Sequence, residues 1–199
     1  MSTKEKIIAS ATTLFSKNGF AGTSVRDICE DADVADSAIH YHFKSKDGLL
    51  QEILEQFGQK HLSFSSQTLS EPKSLEELKL RVRLFLEQTI SSLQEQTEVF
   101  RLVLVEIEKM DPTFKQTFEN SFLPLFNLIR QFIENGKHND IVRKEIDSTE
   151  AAGFLINQIT GQLRLDHVYE QLMNRTLKNA DFHKLWLDQT TDIFCGGIT

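Results

Sequence analysis

The chain is poor in the residues that mark most catalytic or secreted proteins. Its 199 residues include 2 Cys, 3 Pro, 1 Trp and 2 Tyr. Cys29 and Cys195 lie far apart and outside any metal-ligand spacing, so they suggest neither a disulfide framework nor a zinc site. No stretch approaches the roughly 18 apolar residues of a membrane span. The opening MSTKEKIIAS becomes amphipathic at once, unlike a signal peptide. These absences lead to the expectation of a cytoplasmic protein with no membrane partner. The six His are scattered, and G-x-S-x-G, H-E-x-x-H and phosphate-binding Gly-rich motifs are all missing. No catalytic constellation, metal site or cofactor is therefore expected. Strand-like alternation is scarce too, whereas i, i+3, i+4 apolar patterns are long, so the chain reads as all-α. With 40% hydrophobic residues it can bury a core in one or two domains.

What stands out is the run 24–43, SVRDICEDADVADSAIHYHF. Val25, Ile28, Cys29 and Ala32 fall on one apolar helix face, with Cys29 filling the small core. Ser24 is the N-cap, and Asp27 approximates the capping-box partner. Val34, Ile39 and Phe43 give the next helix an inward side, leaving Ser37, His40, Tyr41 and Lys44 outside. Upstream, Ile7, Ile8, Ala11, Leu14 and Phe15 form a stripe that stops at Asn18-Gly19, with Phe20 packing back on it. Downstream, Ser45 caps a fourth helix carrying Leu49, Leu50, Ile53, Leu54 and Phe57. Two short helices at a tight turn, ending in polar, aromatic and cationic groups, have the layout of a helix-turn-helix DNA reader.

These residues resemble the TetR family of bacterial one-component regulators over roughly the first quarter of the chain. The resemblance rests on Ala11, Leu14, Phe15, Gly19, Phe20, Thr23 to Ile28, Ala32, Val34, Ile39 to Phe43, Ser45, Lys46 and Leu49. Two positions depart from the family's habit. Asp33 stands where glycine is usual in the turn, and aspartate tolerates the left-handed conformation. Ala35 stands where a Ser or Thr cap is usual, leaving Asp36 as the alternative cap.

The resemblance implies a homodimer binding a palindromic operator, with DNA contacts from Thr23, Ser24, Arg26, Ser37, His40, Tyr41, His42, Lys44 and Lys46. His40 can donate to a phosphate or read a purine N7. Arg26 either forks onto guanine or pairs with Glu30. Lys46, at the start of the fourth helix, suits a phosphate. Charge argues the other way. The chain carries −7 overall, and its first fifty residues hold six basic against seven acidic side chains. A shallow salt dependence of binding follows.

The division expected is a DNA-binding domain over 1–48 and a helical ligand-binding and dimerisation domain over 49–199. The fourth helix is expected to end near Ser63, followed by a loop from Ser65 to Lys73. Ser74 then caps a long helix, another spans Val99 to Met110, and Asp111-Pro112 starts a helix that stops at Asn135-Gly136. Ser148 and Asp181 open the last two, which the family plan pairs across a two-fold axis. There Ala151, Ala152, Gly153 and Gly161 allow close approach, and Phe154, Leu165, Val168 and Leu172 supply apolar area.

Phe114, Phe118, Phe122 and Phe126 recur every four residues, and the chain holds 15 Phe. They read either as core or as the lining of a cavity for a small apolar or aromatic ligand. The candidate ligand set is Phe85, Phe100, Glu106, Phe118, Phe122, Asn157, Gln158 and Gln162, with Glu106 suited to a cationic group if buried. The implied function is a repressor released by that ligand. The alternative is a ligand-insensitive DNA-binding adaptor whose C-terminal part only dimerises.

Overall fold

Ser2 and Glu5 cap the first helix reciprocally: the Glu5 amide donates to the Ser2 hydroxyl and the Ser2 amide to the Glu5 carboxylate. From there the computed structural model describes residues 1–110 and 112–199, with Thr113 described by its backbone alone. The helices are α1 Thr3–Asn18, α2 Val25–Ala32, α3 Ser37–Phe43, α4 Lys46–Thr68 and α5 Leu75–Glu95. They continue as α6 Thr97–Lys109, α7 Pro112–Ser121, α8 Leu123–His138, α9 Ser148–Met173 and α10 Ala180–Ile198. No strand occurs among the described residues, so the all-α expectation holds. None of the described helices is long and apolar enough to cross a membrane.

The chain forms two compact units, Met1–Lys60 with Gln96–Leu123, and His61–Glu95 with Pro124–Thr199. In the first, Ile7, Ala11 and Phe15 of α1 are buried with Ile28 and Cys29 of α2, Ile39 and Phe43 of α3, and Leu49, Ile53 and Leu54 of α4. Of the inner positions expected from helical spacing these are buried, whereas Ile8, Leu14, Val25 and Val34 are half-buried. Phe20 packs on Phe15 at 5.2 Å between ring centres, behind Gly19 at φ 77°. This unit also contains α6 and α7, and the Thr13 hydroxyl of α1 donates to Glu98 of α6 at 2.9 Å.

In the second unit α5 and α10 are tied by Arg83 to Asp188 at 2.9 Å and Lys79 to Asp192 at 3.1 Å. The α9–α10 connection is held by buried Asp166, which accepts from the Leu177 amide at 2.9 Å and the Thr176 hydroxyl at 2.7 Å. Cys195 is buried here, and burial pushes its thiol up to about 12. Asp147 caps α9 through the amides of Thr149 and Glu150.

Three expectations about helix boundaries fail for identifiable reasons. α4 runs on to Thr68 instead of ending near Ser63. Its hydroxyls bond back to their own helix, Ser66 to the Ser63 carbonyl and Thr68 to the Phe64 carbonyl. Arg81 then covers the Thr68 carbonyl at 2.9 Å, and Ser65 is fully buried. The single helix expected to run to Asn135-Gly136 is broken at Phe122 into α7 and α8; its expected start at Asp111 lies outside the described residues. Gly136 is not a stop either. It lies inside α8, where a Cβ would come within 2.7 Å of Val142 Cγ2, so glycine is there for close packing. The chain turns at Asp140 instead, at φ 53°.

Candidate nucleic-acid interface

α2 begins with a complete capping box. The Asp27 amide donates to the Ser24 hydroxyl at 3.1 Å and the Ser24 amide to the Asp27 carboxylate at 2.8 Å. Those bonds from Ser24 hold the Asp27 carboxyl below the usual aspartate range. The helix ends at Asp33 in the left-handed conformation, φ 52°, the role foreseen for it. Arg26, exposed, pairs with Glu30 at 2.8 Å. This pair is one of the two readings left open for it.

α3 begins differently. Asp36 makes no capping hydrogen bond, contrary to its expected role, because its backbone (φ −55°, ψ −32°) is already helical. Packing positions this helix: Ile39 and Phe43 are buried while Ser37, His40, Tyr41 and Lys44 are exposed. Tyr41 is 77% exposed, and its ring meets the half-buried His42 edge-on at 4.8 Å. Lys44 closes α3 at φ 70°. Its amide donates to the His40 carbonyl at 3.2 Å, and its carbonyl lies 2.8 Å from His40 Nδ1.

Two residues of the expected contact set have duties inside the fold. Thr23 is 1% exposed, its hydroxyl donating to the Gly19 carbonyl at 2.9 Å and lying 3.3 Å from that of Leu14. Lys46 reaches back to the carbonyls of Phe20 at 2.9 Å and Thr23 at 2.8 Å, with its ammonium 4.3 Å from the centre of the Phe20 ring. Two of its three N–H groups are engaged there. Sequence reasoning missed this brace because Phe20 and Thr23 lie more than twenty residues away. Ser45, as expected, caps α4 through the Gly48 amide at 3.0 Å.

The expected ligand residues fall in both units. In the first, Phe118 and Phe122 stack at 5.7 Å, flanked by Phe114 at 6.1 Å and by Phe57 of α4 at 6.2 Å. Phe100 is buried, as is Glu106, whose carboxylate accepts from Lys109 at 2.7 Å. A cavity of about 20 Å³ lies between Phe20, Leu50, Leu54 and Phe114. In the second unit, Phe85 is a core residue, Gln158 is half-buried and Gln162 donates to Asp166 at 3.3 Å. Asn157 is exposed at the edge of an open groove of about 460 Å³ bounded by Asp147, Phe154 and Ile198. Phe126 belongs to this unit, so the four-residue Phe series is divided.

Residues 7–53 match the model of the family described as bacterial regulatory proteins, tetR family. Over 57 residues the chain is 51% identical to the probable HTH-type transcriptional regulator YttP of Bacillus subtilis, covering 29% of this chain and 28% of that protein. It is 39% identical over 52 residues to the biofilm operon icaADBC negative transcriptional regulator IcaR of Staphylococcus aureus, 26% and 28% of the two chains. The matched stretch thus spans under a third of these relatives' length. The whole fold is similar to that of the transcriptional regulator FadR from Bacillus subtilis, solved in complex with stearoyl-CoA. The TM-score is 0.78 and identity 17%, over 98% of this chain and 99% of that one. At that identity the likeness concerns the fold. Residues 7–53 thus carry the N-terminal domain of the tetR-type bacterial regulatory proteins.

Proposed function

We propose that this protein is a one-component transcriptional repressor that binds palindromic operator DNA as a homodimer and is released by a small apolar or aromatic ligand. DNA reading is assigned to 1–48, ligand binding and dimerisation to 49–199. The observation that carries the reading is α3: a helix anchored by buried Ile39 and Phe43 that holds Ser37, His40, Tyr41 and Lys44 out to solvent. A tyrosine 77% exposed between two histidines has little to do in a packing role. It suits a helix laid in a major groove, with Tyr41, His42 and Lys44 on backbone or base edges. Ser24 and Arg26, both exposed at the start of α2, are the further contacts assigned. Thr23 and Lys46 act mainly by fixing the turn, and the third N–H of Lys46 is the one left for a phosphate.

Dimerisation is supported by apolar side chains left exposed on the last two helices, Phe154, Leu165 and Leu172 on α9 with Leu185 and Ile193 on α10. Ligand control is supported by Glu106, Phe118 and Phe122 belonging to the same compact unit as α3. A ligand that alters their packing acts on the body that carries the reading helix. A coupling of about 1–3 kcal/mol changes operator affinity about 5–150-fold. Stearoyl-CoA, bound by the similarly folded FadR, is a rational first probe of the apolar class.

A mobility-shift titration on DNA flanking the protein's own gene tests the reading, with the Tyr41→Ala, Lys44→Ala double variant beside the wild type. Saturable binding lost in the variant is the expected result. Wild-type binding no tighter than the variant's, on flanking and on randomised DNA alike, would remove the DNA-reading role.

A further inference from the structure

We propose that His40 reads one base in each half-site as a hydrogen-bond acceptor, its Nε2 receiving the exocyclic amino group of adenine or cytosine. The inference rests on the DNA-binding reading above and adds the chemistry of one contact. His40 Nδ1 lies 2.8 Å from the Lys44 carbonyl oxygen. A carbonyl oxygen only accepts, so Nδ1 must carry the hydrogen and donate it. A neutral imidazole has one N–H, which leaves Nε2 as a bare lone pair at the far edge of the ring. His40 is exposed and lies on the same side of α3 as Ser37, three residues before it, with exposed Lys44 closing the helix.

The environment that fixes this tautomer is built into the end of the helix. Lys44 departs from helical geometry at φ 70°, and its amide still bonds the His40 carbonyl at 3.2 Å while its own carbonyl takes the ring N–H. Residues 40 and 44 are therefore joined twice. The ring loses rotamer freedom before any DNA arrives, which lowers the entropic cost of the contact.

Acceptor polarity narrows the partners. Phosphate oxygens, purine N7, guanine O6 and thymine O4 are all acceptors and repel a lone pair. In the major groove the donors are adenine N6 and cytosine N4. The earlier expectation for His40, donation to a phosphate or to a purine N7, needs the opposite polarity and is replaced.

The test begins with the free protein. In mildly alkaline buffer, nitrogen-15 shifts assigned to His40 through their loss in His40→Ala are expected to show Nδ1 protonated and Nε2 bare; the reverse assignment overturns the proposal without any DNA. Selection from random duplexes by wild type and by His40→Ala then identifies the position whose preference changes. At that position adenine is replaced by purine, or cytosine by pyrimidin-2-one, each lacking the amino group. The deletion is expected to weaken wild-type binding about 2- to 10-fold and to leave His40→Ala unaffected. Tight, selective binding in which the deletion affects both proteins equally, or no position responds to His40→Ala, overturns the His40 contact while the DNA-binding reading stands. Failure of the wild type to retain any sequence overturns both.

Discussion

α2 and α3 are neighbours of similar length in one compact unit, yet they are held in opposite ways. α2 is defined by its own sequence: Ser24 and Asp27 satisfy each other's amides at the start and Asp33 turns the chain at the end. α3 has no side-chain cap, opens on Asp36 with a helical backbone, and closes on a lysine in a left-handed region that disfavours side chains. A seven-residue helix is far too short to persist alone. Ile39 and Phe43, buried against their neighbours, therefore hold α3, and Lys46 braces the α1–α2 turn beside it. Held from behind, α3 keeps its outer side open to solvent, since no exposed group is tied up in capping its start.

Breaking the comparison from the α3 side should give the largest effect. Phe43→Ala is expected to cost about 3–5 kcal/mol in denaturant unfolding, because it removes both the ring and the anchor of an uncapped helix. Lys46→Met keeps the aliphatic stem but leaves the Phe20 and Thr23 carbonyls without their cation. A loss of about 1–2 kcal/mol in denaturant unfolding is expected. A Lys46→Met protein as stable as wild type would show that the brace is incidental.

The capped side predicts smaller, more local changes. Ser24→Ala should cost about 1 kcal/mol, whereas Asp36→Ala, at the corresponding position of α3, should stay within about 0.5 kcal/mol. Equal losses from the two substitutions would erase the distinction between the helices. The smallest effect is a pH dependence. Because the Ser24 amide and hydroxyl hold the Asp27 carboxyl below its ordinary value of about 3.9, its contribution is complete above that value. It disappears as pH falls through the lower, folded-state value. The acid limb of a stability–pH curve should therefore flatten in Asp27→Asn.

The capping rules explain what was legible in advance. Ser24 with Asp27, Gly19, Asp33, Ser45 and Ser74 all act on amides or dihedrals within three or four residues, so their roles can be read from spacing. The exposed face of α3 follows from the same periodicity. What misled was composition read without partners. The run Ser65 to Thr68 resembles a loop until its hydroxyls are seen bonding back along α4 and Arg81 covering its end. Asn135-Gly136 resembles a helix stop until Val142 is found against Gly136. Four evenly spaced phenylalanines suggest one helix face, but Phe122 is itself the turn that separates Phe114 and Phe118 in α7 from Phe126 in α8. Thr23 and Lys46, assigned to DNA by pattern, bond carbonyls that spacing does not bring to mind.

The sequence by itself determined the all-helical class, the helix-turn-helix with its inner and outer faces, and the caps and turns at Gly19, Ser24, Asp33 and Ser45. Each depends on interactions shorter than about one helical turn, which a linear pattern encodes. Only the tertiary structure decided that α6 and α7 join the N-terminal unit, that Lys46 serves a turn, and that Lys44 sets the polarity of His40. The first two require groups far apart in the chain to meet. The third hangs on the direction of one carbonyl at a helix end, set by the non-helical Lys44 backbone at φ 70° and ψ −41°.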